Sequence, residues 1–429
     1  MRILHTSDWH LGRTLCKRNR HDEFEAFLTW LGNVILEKQV DAVLVAGDVF
    51  DTTTPGNRAQ EQYYRFLCRI ALSSCRHLVV IAGNHDSPSF LNAPKELLQS
   101  LNIHIVGCIT ENIADEVLVL KNGDGEPELI VGAVPYLRDR DIRNVEQCES
   151  AGDKEIKLLE GIRRHYDEVC RLAEQKRLEC GNDVCDNIPV VLMGHLFTSG
   201  GQLSDDRLSG DPLSGDDGVR ELYVGTLAQV DATFFSDKMF FGKMDYLALG
   251  HLHLPQMVAG SDAMRYCGSP LAMSFKEARR KKSVCLVDFE GKTPSPTLLD
   301  VPVFQRLDRV SGDIETIFSG IDKWMGENVS IWVEIVYDGG EIIPDLREKL
   351  ENRVTGTSVE ILRIINNRIT GQALEQTGEC ETLEQLDALE VFQRCLTRYQ
   401  VSEHEKPALV QAYQEIIKDV LEDDCRSNA

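Results

Sequence analysis

A chain of 429 residues, 42% hydrophobic and 27% charged, has the length of roughly three domains of about 150 residues and the make-up of an ordinary globular protein. A formal net charge of −23 argues against a protein that coats nucleic acid by bulk electrostatics, and no apolar run approaches the roughly 18 residues of a membrane span. Asp8 and His10 interrupt any signal-peptide core near the N-terminus, and the 13 scattered cysteines, of which Cys180 and Cys185 are the closest pair, read as reduced thiols in a cytoplasmic protein.

In chain order, the apolar pair Ile3-Leu4 precedes Asp8. The stretch 11–20 then carries Arg13, Lys17, Arg18 and Arg20 with no acid: a phosphate-binding lip or a solvated face. Helical patterns over 24–36 and 60–72 flank the apolar run 42–45, which leads into Gly47-Asp48. The run 78–81 leads into Gly83-Asn84-His85-Asp86. An amphipathic helix over 153–172 is expected to turn Ile156, Leu159, Ile162, Tyr166 and Val169 toward a core. The run 190–193 leads into Gly194-His195, and a Gly/Ser/Asp-rich loop follows over 199–218, either a flap or an insertion. The run 246–249 leads into Gly250-His251-Leu252-His253. Residues 276–282 hold five bases and one acid.

Continuous apolar runs of this length predict strands buried on both faces, and their alternation with helices predicts a layered α/β domain. Ligands in such sheets bind beyond the carboxyl ends of the strands, where all five polar clusters fall. A strand over 283–289 is expected to close the first domain, with an extended stretch from Thr293. A small βαβ unit over 330–336, 344–351 and 358–364 follows. The assigned boundaries are 1–290 for the first domain, 291–370 for the small α/β domain, 371–381 for a polar linker and 382–429 for a helical segment. That segment has two stripes: Leu383, Leu386, Leu389, Phe392 and Leu396, then Leu409, Tyr413, Ile416, Ile417 and Val420.

Of 11 histidines, His10, His85, His195, His251 and His253 lie at strand ends beside Asp8, Asp48 and Asn84. A lone histidine is more often structural, but five at such ends suit a pair of divalent ions. Asp8 and His10 are expected to alternate along extended chain into one pocket, as are His251 and His253. Asp48 is the natural bridge. Ions about 3.5–4 Å apart clamp the attacking and leaving oxygens of a phosphodiester and lower the pKa of a bound water.

Taken together, Asp-x-His, Gly-Asp, Gly-Asn-His-Asp, Gly-His and Gly-His-x-His resemble the calcineurin-like metallophosphoesterases. The segments His5-Thr6-Ser7-Asp8-Trp9-His10-Leu11-Gly12, Ala46-Gly47-Asp48-Val49-Phe50-Asp51 and Ala82-Gly83-Asn84-His85-Asp86-Ser87 carry a closer resemblance, to the SbcD-type nuclease subunits of bacterial SbcCD complexes. So do Ala248-Leu249-Gly250-His251-Leu252-His253 and Tyr266-Cys267-Gly268-Ser269-Pro270-Leu271 with Ser274-Phe275. The resemblance covers residues 1–290 strongly and the remainder weakly.

It implies a four-layer α/β/β/α metallophosphoesterase sandwich, a small α/β capping domain and C-terminal helices. One metal would take Asp8, His10, Asp48 and His253; the other would take Asp48, Asn84, His195 and His251. His85 would protonate the leaving oxygen, with Asp86 orienting it. Asp51 stands where related archaeal and eukaryotic chains often have His, and is left out of the catalytic set. The implied activity is a manganese-dependent nuclease in DNA repair, recombination and replication, a 3′→5′ double-strand exonuclease and hairpin endonuclease. The implied assembly is a homodimer within a heterotetramer with an SMC-like ATPase, SbcC. Arg279, Arg280, Lys281 and Lys282 are expected to border the DNA path. The rivals are a phosphatase or small-molecule phosphodiesterase on the same site, and a scaffold with a vestigial one.

Overall fold

The computed structural model describes residues 1–142, 151–180, 187–198, 243–327, 329–341, 343–366 and 406–423, with residues 389, 392, 396 and 402. Strands follow one another as β1 (Arg2–Thr6), β2 (Thr14–Leu15), β3 (Arg18–Asn19), β4 (Ala42–Ala46), β5 (His77–Ile81), β6 (Ile103–Val106), β7 (Val117–Lys121) and β8 (Pro127–Ala133). Then come β9 (Val190–His195), β10 (Tyr246–Gly250), β11 (Gln256–Val258), β12 (Ser261–Tyr266), β13 (Ser283–Glu290), β14 (Thr293–Asp300), β15 (Arg306–Gly312), β16 (Ile331–Tyr337) and β17 (Val359–Asn366). The main helices are α1 (His21–Glu37), α2 (Asn57–Ala71), α3 (Ala151–Glu179), α4 (Ile314–Gly326), α5 (Leu346–Val354) and α6 (Lys406–Asp423).

Two six-stranded sheets form the first domain, ordered β14-β13-β1-β4-β5-β6 and β11-β12-β10-β9-β8-β7. The strand period of two assigns each residue to a layer. On β4, Val43 and Val45 face α1 and α2, where they meet Phe27, Leu31, Tyr63 and Phe66. Ala42, Leu44 and Ala46 face the other sheet, where they meet Val131, Val191, Met193 and Ala248. On the far side Leu192, Leu247 and Leu249 pack against Ile162, Tyr166 and Val169 of α3. The expected order helix, sheet, sheet, helix is therefore present. Within α3 the apolar stripe begins at Leu158, and Ile156 is 57% exposed.

Strand β14 keeps the chain in the first sheet past residue 290, as far as Asp300. The stretch from Thr293, read as extended in the sequence, is β14; Pro294 and Pro296 fit because it is an edge strand, where a missing N–H costs no ladder bond. The small domain is a parallel sheet β15-β16-β17 with α4 and α5. Strand β15 and α4 lie outside the expected βαβ unit, because β15 is a polar edge. The Asp313 side chain accepts from Thr316 N at 2.9 Å and caps α4. Leu307 and Trp332 of this domain pack on Leu15 and Phe275 of the first. In the C-terminal segment Phe392 stacks on Tyr413, ring centroids 4.0 Å apart. The loop over 199–218 and the linker over 371–381 lie outside the described residues.

Strands β1, β4 and β5 run parallel, as do β9 and β10, so their carboxyl ends emerge along one edge. Gly250 lets the two sheets close there. A Cβ at that position would collide with the Ala46 carbonyl oxygen and come within 2.9 Å of His195 Nδ1 and of Ser7 Cβ. Gly250→Ala is expected to cost about 1–3 kcal/mol by overpacking. Gly123→Ala, where nothing lies within 4 Å, should be near neutral. Urea denaturation of both variants measures the difference.

Candidate metal centre

Each candidate ligand leaves the carboxyl end of a strand. Past β1 and β4 the two segments stay zipped: Asp8 N donates to Gly47 O at 3.0 Å, His10 N to Asp48 O at 3.0 Å, and Leu11 N to Val49 O at 2.9 Å. The expectation of extended alternation fails here. Asp8, His10 and Asp48 have φ of 52°, 49° and 51°, and His251 has 100°. Backbone in the left-handed region costs of order 1–3 kcal/mol for such residues and persists only where the surroundings hold it. Asp8 and His10, which a regular strand would also send to one face, reach the pocket here through left-handed backbone instead.

Two clusters hold the expected ligands, and a third joins His10, Asp51 and His85. Ligand atoms of Asp8, His10 and His253 lie within 4.8 Å of one another, as do those of Asp48, His195 and His251. Asn84 Oδ1 is 3.1 Å from His195 Nε2 and 3.1 Å from His251 Nδ1, which places it in the second cluster. Asp48 Oδ2 lies between the clusters, 3.3 Å from His195 Nε2 and 3.8 Å from His10 Nε2. The residues expected to share each ion are thus brought together.

The imidazoles are set from behind. Two face carbonyl oxygens, which can only accept: His195 Nδ1 donates to Ala46 O and His85 Nδ1 to Asp51 O, both at 2.9 Å. His10 Nδ1 is 3.5 Å from Asp51 Oδ1, and His253 Nδ1 is 3.5 Å from Glu277 Oε1. The other nitrogens are left facing lone pairs: His10 Nε2 sits 3.2 Å from His253 Nε2, and His195 Nε2 faces Asn84 Oδ1 and Asp48 Oδ2. Acceptors that close repel unless a positive charge lies among them. The protein alone answers with a proton. Burial works against charge on His195, yet the neighbouring Asp48 carboxylate outweighs it and pushes the imidazole up to about 9. Burial, then the charge of His195, drives His251 down to about 3, so it stays a neutral ligand-type imidazole. Asp48 is held well below the usual carboxylate range against its own burial, by His195, His85 and His10. Oxygen and imidazole donors so arranged fit divalent ions, which supply the same positive charge.

Asp86 is buried behind the site. Its carboxylate accepts from Val49 N at 3.1 Å, Phe50 N at 2.9 Å and Gly83 N at 2.9 Å. Burial and the charge of Asp48 push it up to about 6. These three donors are backbone amides of the turns that carry Asp48 and Asn84, so Asp86 orients those turns; the His85 ring is held by the Asp51 carbonyl instead.

Two residues outside the expected site lie beneath it. Asp51 Oδ1 accepts from Arg13 Nη1 at 3.0 Å and faces His10, while its carbonyl holds His85. Burial raises its carboxyl, but the His10 contact and the Arg13 charge prevail and bring it down to about 2. Glu277 lies behind His253. Its only sequence signal is an acid inside a run of bases.

The four basic residues of 279–282 divide. The side chains of Arg279 and Lys281 are 77% and 85% exposed, beside Asp308 and Asp300. Arg280 is half-buried. Lys282 does not border any surface path. Its side chain is 7% exposed and its ammonium donates to Glu277 Oε2 at 2.5 Å, Ser269 Oγ at 2.8 Å and His253 O at 3.1 Å. The same holds earlier in the chain: Arg13 and Arg20 are buried in ion pairs with Asp51 and Glu23. Lys282→Met is expected to lower stability by about 3–5 kcal/mol, because it strands a buried carboxylate, and to leave the salt dependence of DNA binding unchanged. Denaturation curves and binding at several salt concentrations read both; an altered salt slope with intact stability would put Lys282 back on the surface.

The calcineurin-like phosphoesterase family matches residues 1–255, and a type 5 capsule protein repressor C-terminal domain family matches residues 303–400. The SbcD subunit of nuclease SbcCD from Escherichia coli strain K12 is 34% identical over 416 residues, 95% of this chain and 96% of that protein. Its namesake from Bacillus subtilis is 33% identical over 78% of this chain and 79% of its own length. That from Rhodobacter capsulatus is 29% identical over 75% and 76%. With these relatives and the phosphoesterase match, the chain belongs to the calcineurin-like phosphoesterases and, among them, to the SbcD nuclease family.

Proposed function

We propose that this chain is the nuclease subunit of an SbcCD-type complex and hydrolyses DNA phosphodiesters at a site for two divalent ions. The observation that carries the reading is the place of Asp48, with one carboxylate oxygen in reach of both ligand clusters. Asp8, His10, Asp48 and His253 would hold one ion, and Asp48, Asn84, His195 and His251 the other. Manganese suits this oxygen and imidazole set. Such ions, when bound, polarise the phosphodiester and activate a water at neutral pH.

The chain's own residues supply the rest. His85 Nδ1 is tied to the Asp51 carbonyl, and its Nε2 is buried with no hydrogen-bond partner among the described residues. That nitrogen is the free end that would give a proton to the leaving sugar oxygen. The His85 backbone N–H donates to Asp48 Oδ1 at 2.9 Å, so the proton donor and the bridging carboxylate keep a fixed relation. Exposed ion pairs such as Arg279 with Asp308 and Lys281 with Asp300 contribute only about 0–1 kcal/mol, so phosphates can displace them readily. These two, with Arg280, would border the DNA, and an SbcC-type ATPase would supply the remaining positive charge. The segment over 382–429 is assigned to that partner: residues 377–429 hold 12 acids and five bases, which disfavours DNA. A double-strand exonuclease and hairpin endonuclease, in a homodimer within a heterotetramer in the cytoplasm, completes the proposal. A phosphatase on the same site has no observation in its favour.

Asp48→Ala is expected to lose both activity and bound manganese. His85→Gln should keep the metal and lose activity by about 10²- to 10⁴-fold. Elemental analysis and cleavage of linear and hairpin DNA decide it; a His85→Gln protein empty of metal would defeat the division of roles. Truncation before residue 381 should leave manganese-dependent cleavage intact and abolish capture of the ATPase.

A further inference from the structure

The loop between β12 and β13 carries a buried ion pair that the proposed reaction does not use. Glu277 and Lys282 are 5% and 7% exposed. Lys282 Nζ is 2.5 Å from Glu277 Oε2 and also donates to Ser269 Oγ. Glu277 Oε2 accepts a further bond from Met273 N at 3.1 Å. The remaining oxygen, Oε1, lies 3.5 Å from His253 Nδ1. Ser269 N and Lys282 Nζ both donate to the His253 carbonyl, at 3.2 and 3.1 Å. The loop thus holds His253 at its ring and at its backbone.

From these contacts we propose that Glu277 is the positioning residue for His253, with Lys282 fixing the Glu277 carboxylate in place. The inference rests on the metal reading above. An imidazole that ligates through one nitrogen needs its other nitrogen held, and a carboxylate there fixes the tautomer and raises the ligand's basicity. The Asp51 carboxylate beside His10 and the Ala46 carbonyl beside His195 serve two of the other ligands in that way. His253 lies three residues past the end of β10, and it lacks the left-handed backbone that sets Asp8, His10, Asp48 and His251. It therefore depends more on side-chain support.

The support is gripped from the small domain. Phe275, two residues before Glu277, is buried against Leu307 and Trp332. Arg279, two residues after it, donates to Asp308 Oδ1 at 3.2 Å and to Arg309 O at 3.1 Å. The position of the small domain is thereby linked to one metal ligand through a single short loop.

The test uses the full chain titrated with manganese(II), following free ion by electron paramagnetic resonance and bound ion by elemental analysis. Wild type should take two ions with an exchange-coupled spectrum; a wild type that binds no pair refutes the metal reading itself. Glu277→Gln should weaken one of the two sites about 10- to 100-fold and leave an uncoupled, singly occupied spectrum. Because that variant leaves Lys282 without its counter-ion, the double variant Glu277→Gln/Lys282→Met is made beside it. Neutral partners of similar size remove the buried-charge penalty. If Glu277 positions His253, the double variant folds normally and remains deficient in the same site. If the pair only stabilises the loop, the double variant binds two ions as wild type does, and the proposal is overturned.

Discussion

The carboxylate of Asp48 is the point at which the two sheets become one site. It leaves the first sheet after β4, yet its Oδ2 reaches His195 at the end of β9 and His10 beyond β1. Three imidazoles hold it ionised deep in the protein, where burial alone would protonate it. Everything around it serves that placement. Gly250 and Gly83 remove side chains that would collide with Ala46 and with Asp48 itself. Asp86 ties the turns after β4 and β5 together through three backbone amides. The left-handed residues on three of the strand exits concentrate strain where ligands must converge, and the two sheets and their helices outweigh that cost.

The charge of the chain acquires a different meaning at this level. A chain of net −23 that acts on DNA, as proposed, would need its cations where phosphates pass. Three bases near the site are committed inward: Arg13 to Asp51, Arg20 to Glu23, Lys282 to Glu277. Arg18 is committed to the small domain, 3.3 Å from Glu360 and over the Trp332 ring. These cations build and brace the site more than they attract substrate. In the proposed reading, long-range attraction of DNA would fall to the partner ATPase.

Much of this was legible in the sequence, for a physical reason. A parallel strand buried on both faces has a continuous apolar run, and the turn that follows must be tight, so a short apolar run, glycine and then a ligand-type residue can be read directly. That pattern, with Ser7 standing where the other exits have glycine, located all five strand exits and the seven candidate ligands. What could not be read depends on contacts between distant segments. Asp51 and Glu277 are acids whose role comes from the histidines above them. Lys282 looks like its exposed neighbours until the fold turns it inward. The alternation assumed for Asp8 and His10 failed because β1 stops at Thr6 and the exit adopts left-handed φ. Strand β15 was missed because an edge strand with Arg306 and Asp308 lacks the apolar run of a central one.

In the proposed site Asp48 joins two ions. Anomalous diffraction from a crystal of the wild-type chain grown in manganese(II) addresses it most directly. The expected map has two peaks about 3.5–4 Å apart, one beside Asp8, His10 and His253, the other beside Asn84, His195 and His251, with the Asp48 carboxylate between them. A single peak, or two peaks that do not share Asp48, would contradict it.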